Sequence, residues 1–279
     1  MYLIAVVVNI LIIVAISSTT NLHTPMYFFI DTLSSVDICF TSVTVPKMLL
    51  NIQTQSQAIP YVACLTQMYF LILFLELDNV LLAVMAYDRF VAICHPLHYA
   101  RNMSPQFCIT SVPVALVVTN IYPLIHTVLM STLSFCTSVR IHHICCELYA
   151  LLKLSCSDIC FSELVVYTVG SFLFVTPFVF ISASCMRIFS VILRLRSSQD
   201  KLKAFTNCSP HLAVVSLFYG TLFGVYLLPS SSYTAKDTVA TVLYAVVPPI
   251  FNPFIYILRK KDMKGALRSL LGWRRRFSQ

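Results

Sequence analysis

Residues 61–93 read YVACLTQMYFLILFLELDNVLLAVMAYDRFVAI. The run is apolar for longer than the roughly 20 residues a membrane-spanning helix needs. A strand of a transmembrane barrel would alternate apolar and polar residues. This stretch does not alternate, so it reads as a spanning helix. Working outward from it, comparable runs predict spans at about 1–16, 25–50, 107–127, 161–195, 202–228 and 238–258, with 61–93 as the third of seven. The expected fold is an all-α membrane protein: a seven-transmembrane helix bundle over residues 1–258. A cytoplasmic tail, 259–279, follows. In its stretch 261–271, Met263, Ala266, Leu267, Leu270 and Leu271 share one face and Lys264 and Arg268 the other, the pattern of an interfacial helix.

Composition excludes the alternatives. Of 279 residues, 58% are hydrophobic and 11% charged, against about 25% charged in soluble domains. Disorder needs the opposite balance. The formal charge of +8 does not point to nucleic acid, because no soluble domain carries a basic patch. It reads instead as topology. Alternate loops and the tail hold 13 Lys and Arg, including Arg101, Arg194, Lys201 and Arg274; the other loops hold four, Lys47, Arg140, Lys153 and Lys236. By the positive-inside rule the C-terminus is cytoplasmic, the N-terminus extracellular, and the chain a multi-pass protein of the plasma membrane. The first run, Met1–Ile16, lacks the basic start and cleavage site of a signal peptide. At 16 residues it is short for a roughly 30 Å core, and it reads as a span that has lost its extracellular start.

The loop 129–160 then lies outside and holds Cys136, Cys146 and Cys156, with Cys64 at the outer end of the third span. Outside the cell cysteines persist as disulfides, and these four allow three pairings. Cys94, Cys185 and Cys208 fall toward the reducing side. His142, His143, Cys145 and Cys146 have metal-ligating chemistry, but in a loop that needs its cysteines for disulfides.

Charges within spans face a cavity or a partner. Asp37, counted inward from Pro25, and Asp78, counted outward from Arg89, reach the same depth on antiparallel helices. Two carboxylates at one depth share a proton or bind a cation. Asn9 and Asn252 add oxygens, so sodium is a candidate beside a protonated network. Asp88 and Arg89 read as a hydrated helix end or as a gate contact. Pro177, Pro229, Pro248, Pro249 and Pro253 kink or end later spans. No motif of hydrolytic, phosphate-binding or dinucleotide-binding enzymes occurs, so no enzyme is expected.

Several strings resemble the olfactory receptors, which are rhodopsin-like G-protein-coupled receptors. They are LHTPMYFF (22–29), PKML (46–49), MAYDRFVAICHPLHY (85–99), KAFTNCSPHL (203–212) and PPIFNPFIY (248–256). The resemblance implies disulfides Cys64–Cys146 and Cys136–Cys156 and a sodium site at Asp37, Asp78 and Asn252. It implies that Asp88, Arg89, Asn252, Pro253 and Tyr256 serve activation and coupling to a stimulatory heterotrimeric G protein. It also implies a pocket for small volatile odorants in the outer half of the bundle. Helical spacing offers Leu71, Ile72, Leu75 and Glu76 on the third span, Gly170 and Leu173 on the fifth, Tyr219, Phe223 and Tyr226 on the sixth (with Gly220), and Val242 and Ala245 on the seventh. Glu76 would favour amine or hydroxyl ligands.

Departures from the family pattern are Val8, Phe90, Cys185 and Pro210. The triplets Asn102-Met103-Ser104 and Asn207-Cys208-Ser209 fall on the cytoplasmic side, where no glycan is added. These features keep a non-coupling, receptor-like relic with a truncated N-terminus as a rival reading. A transporter or channel is a weaker rival, because no repeat and no continuous polar path is present.

Overall fold

The computed structural model describes residues 1–54, 59–134, 146, 148–153, 155–157, 159–227, 246–257, 261–270 and 272. Among them the chain is helical, with no strand. The main helices are α1 (Tyr2–Ser18), α2 (Pro25–Thr54), α3 (Tyr61–Cys94), α4 (Pro105–Thr132), α5 (Cys160–Arg194), α6 (Ser198–Leu227), α7 (Val246–Ile257) and α8 (Lys261–Leu270). Four of these, in α2, α3, α4 and α5, are long and apolar enough to cross a membrane.

Local chemistry sets the helix starts. Pro25 opens α2 and Pro105 opens α4, where a missing N–H costs nothing. The Ser104 hydroxyl caps α4 by accepting the Phe107 N–H at 3.3 Å. Helix ends depart from the apolar runs: α2 continues to Thr54, α4 to Thr132, and α6 begins at Ser198 rather than Leu202. The apolar run marks the part that needs hydrocarbon, while the backbone ladder continues into polar flanks where water also satisfies it. Of the expected seventh span, 246–257 is helical and 238–245 lies outside the described residues.

Helix α3 is the axis of the packing, touching α2, α4, α5 and α6. Leu71, Leu77, Leu81, Leu82, Met85 and Ala86 are buried along it. By contrast α4 and α5 turn large apolar side chains outward. Val114, Val117, Ile121, Leu124 and Val128 form an exposed stripe at helical spacing, and Phe172, Val179 and Met186 are exposed on α5. In water such faces would drive association; in lipid they are the correct surface. Helix α8 folds back on α1 and buries Met263, Ala266 and Leu267. Leu270, expected on the same face, is exposed.

Candidate ligand cavity and activation sites

Near the Tyr61 end of α3, Cys64 is bonded to Cys146. One turn along, buried Gln67 accepts the Cys146 N–H at 3.2 Å and donates to the Val43 carbonyl at 3.1 Å. A single amide therefore ties the loop, α3 and α2 together. The sequence reading missed it; the signal was its spacing of three residues from Cys64 on one helical face. Cys156 is also disulfide-bonded, while Cys136 lies outside the described residues. Cys94 and Cys185 are free thiols.

Below the loop, the residues offered for the pocket divide. Leu71, Ile72 and Glu76 are buried, and Leu75 packs at the edge of the core. Leu173 packs against the cluster that contains Cys64, Met68 and Ile72. Tyr219 and Phe223 join Phe174 and Phe178 in an aromatic cluster with ring centroids 4.9 to 6.2 Å apart. Gly170 faces α4 instead: a Cβ there would strike the Tyr122 hydroxyl. It belongs to a π-helical turn, Val166–Gly170, and its lack of a side chain lets α5 approach α4. The backbone of Tyr226 is helical, but its side chain, together with Val242 and Ala245, lies outside the described residues.

The centre of this region is Asn79, which the sequence reading also passed over. Its Oδ1 accepts the Tyr219 hydroxyl. Its Nδ2 donates to the Leu173 carbonyl at 3.2 Å. Glu76 lies one helical turn before Asn79 on α3 and is also buried. Leu173 is four residues before Pro177, so its carbonyl has lost its helical donor. Asn79 supplies the replacement, and in doing so joins α3, α5 and α6.

A second polar group lies deeper. Asn252 donates from Nδ2 to Asp37 Oδ2 at 3.2 Å. Asp37 and Asp78 are buried and close enough to interact electrostatically. Asn9 donates to the Pro249 carbonyl at 2.9 Å. That carbonyl is four residues before Pro253 and has likewise lost its donor. One oxygen each of Asn9, Asp37, Asp78 and Asn252 is buried with no hydrogen-bond partner among the described residues. Four unpaired oxygens from α1, α2, α3 and α7 are hard-cation chemistry.

At the far end of α3, Arg89 donates from Nε (2.8 Å) and Nη2 to Asp88 Oδ2. The other Asp88 oxygen accepts the Tyr99 hydroxyl at 2.8 Å. Burial and the Asp88 charge push the Tyr99 phenol above its ordinary value, so it stays a donor at neutral pH. Tyr99 was read only as part of a motif; its role needs the turn that brings residue 99 back to residue 88. Tyr256 and Arg89 line one cleft with Met85, Pro210 and His211. Pro210 frees the Thr206 carbonyl, which the Ser209 hydroxyl reaches only at 3.5 Å. Pro253 acts through the carbonyl that Asn9 caps.

A helical bundle with exposed apolar stripes, buried carboxylates in its interior and an Asp-Arg pair at one end of its central helix is the arrangement that the resemblance to G-protein-coupled receptors implies. The family model described as olfactory receptor matches residues 1–273. Olfactory receptor 1D2 of Gorilla gorilla gorilla is 54% identical over 97% of this chain and 87% of its own length. Human olfactory receptor 1F1 is 52% identical over 98% and 88%, and mouse olfactory receptor 1E16 is 52% identical over 96% and 85%. The chain belongs to the olfactory receptor family. It is therefore a multi-pass, odorant-sensing receptor and not an enzyme.

Proposed function

We propose that the chain is a seven-transmembrane bundle that binds small volatile molecules in its outer half and activates a stimulatory heterotrimeric G protein at its cytoplasmic end. The N-terminus is extracellular, the C-terminus cytoplasmic, and Cys136 pairs with Cys156. The observation that carries the reading is the Asn79 junction, because it links pocket-side residues to a helix that can move. The Tyr219 hydroxyl and the Leu173 carbonyl meet on one amide, a helical turn from Glu76 on α3. A ligand that engages Glu76 or packs on Phe223 competes with that junction and shifts the balance between two bundle arrangements. Leu71, Ile72 and Leu75 supply apolar area, and helical spacing assigns Tyr226, Val242 and Ala245 to the same pocket. A cavity of this kind holds small molecules by area and orients them with few polar groups. Glu76 then selects ligands with an amine or hydroxyl.

In the active arrangement α6 leaves Arg89, and the freed guanidinium meets the G protein. Sodium, held by Asp37, Asp78, Asn252 and Asn9, favours the inactive arrangement by satisfying oxygens that otherwise stay unpaired. The protein itself makes and breaks no bond.

The test is a cyclic-nucleotide response to an odorant panel in cells whose surface display is verified by staining. A response to at least one odorant that is lost in Arg89→Ala supports the reading. A displayed receptor silent to a broad panel, or an odorant-driven ion flux in liposomes without G protein, overturns it. Glu76→Gln is expected to weaken amine and alcohol agonists at least tenfold; an unchanged profile removes Glu76 from recognition.

A further inference from the structure

The cleft beside Arg89 brings together hydrogen-bond donors on Arg89 and Tyr256, which the activation reading uses, and on His211, which it does not. Arg89 has five N–H donors, and only those on Nε and Nη2 go to Asp88. The cleft it lines is also lined by Met26, Met85, Asn207, Pro210, His211 and Tyr256. The Tyr256 hydroxyl is buried without a partner among the described residues, and so are both ring nitrogens of His211. Neutral imidazole still carries one N–H. A guanidinium, a phenol and an imidazole, from α3, α7 and α6, therefore bring donors to one small space.

No carboxylate lines that space. Asp88 is taken up by Arg89 and Tyr99, and Asp262 is exposed on α8 and is not among the lining residues. The remaining walls are apolar except for Asn207. The room is that of a water or a monatomic ion and not of an organic molecule. Arg89 is ion-paired with Asp88, so the wall is not a bare cation. Its remaining N–H groups, the Tyr256 hydroxyl and one imidazole N–H are donors, and a halide accepts from all of them, whereas water brings two donors of its own.

We propose that this cleft is a halide site, occupied by chloride, which bridges Arg89, His211 and Tyr256. Its occupant ties α3 to α6 and α7 in the closed arrangement. It stabilises the protein in proportion to its concentration, because an ion that binds only the folded, closed form raises apparent stability by mass action. Chloride then opposes agonist action from the end of the bundle remote from the odorant pocket. The site does not depend on G-protein coupling, and a binding readout tests it even if that reading fails.

The experiment uses the full chain in nanodiscs of neutral lipid. Thermal unfolding is followed while sodium chloride is exchanged for sodium gluconate at constant sodium. The expected result is a melting temperature that rises saturably with chloride and with bromide but not with gluconate. The effect is at least tenfold weaker in apparent affinity for Tyr256→Phe and for His211→Phe, and is kept in Cys94→Ser. Line broadening of ³⁵Cl in magnetic resonance, displaced by bromide, reads the same site on the unaltered chain, so a variant that fails to fold does not block the test. Equal melting in chloride and gluconate together with no displaceable broadening overturns the proposal, and means the cleft holds water. A chloride effect that persists in both variants overturns it too.

Discussion

Asn79 and Asn9 perform the same operation at opposite sides of the bundle, with different results. Each donates its amide to a carbonyl that a proline four residues later has orphaned: Leu173 before Pro177, and Pro249 before Pro253. Around Asn79 the accounting closes, because its oxygen takes the Tyr219 hydroxyl. Around Asn9 it does not, and four oxygens remain without partners among the described residues. Proline kinks therefore do not by themselves make a receptive site. A kink whose freed carbonyl is capped and whose capping amide is saturated acts as a joint between helices. A kink whose neighbours stay unsaturated has capacity to bind something.

The sharpest way to break this comparison is Asn79→Leu, which strands the Leu173 carbonyl and the Tyr219 hydroxyl together. At about 1–3 kcal/mol per unsatisfied buried group, a loss of about 2–6 kcal/mol is expected in thermal unfolding of the purified receptor. Adding Pro177→Ala returns an N–H to Leu173, so the double variant is expected to recover part of the loss. Strict additivity would mean that the carbonyl was never the issue.

Next in size is Asn9→Leu, where only the Pro249 carbonyl loses its donor. The expectation is about 1–3 kcal/mol, partly restored by Pro253→Ala.

Overpacking of comparable or smaller size is expected from Gly170→Ala, about 1–3 kcal/mol, because the new Cβ meets the Tyr122 hydroxyl. Tyr122→Phe removes the colliding atom. If the pair is no better than Gly170→Ala alone, the close approach of α5 to α4 is not what glycine serves.

The smallest effect separates the two amide centres directly. If sodium occupies the unsaturated group, then at ten times its Kd it stabilises the receptor by about 1.4 kcal/mol. Asp78→Asn is expected to abolish that increment and Glu76→Gln to leave it intact. A sodium increment that survives Asp78→Asn would move the ion elsewhere.

Much of the architecture was legible because membrane helices are specified locally. A long apolar run must satisfy its own backbone, and a helix is the way one segment does so. Residues 61–93 read as a span, and the helix runs from Tyr61 to Cys94. The mid-depth group was legible in outline, since depth along antiparallel helices follows from rise per residue. Gln67 and Asn79 were not, although each lies three residues from a residue that had been noticed. Their chemistry depends on Val43, Cys146, Leu173 and Tyr219, which are distant in sequence. Gly170 was offered as a pocket residue because spacing alone cannot tell which neighbour a helical face meets. Leu270 was placed with Leu267 for the same reason, yet α1 covers one and not the other.

The sequence by itself determined that this protein lives in a membrane as helices, which residues in those helices are costly there, and where prolines break the ladder. These are properties of a segment and its solvent. Only the tertiary structure decided which amide meets which orphaned carbonyl, which oxygens are left over, and which donors converge on the cleft beside Arg89. Those outcomes depend on distances between helices, and no periodicity along a single helix encodes them.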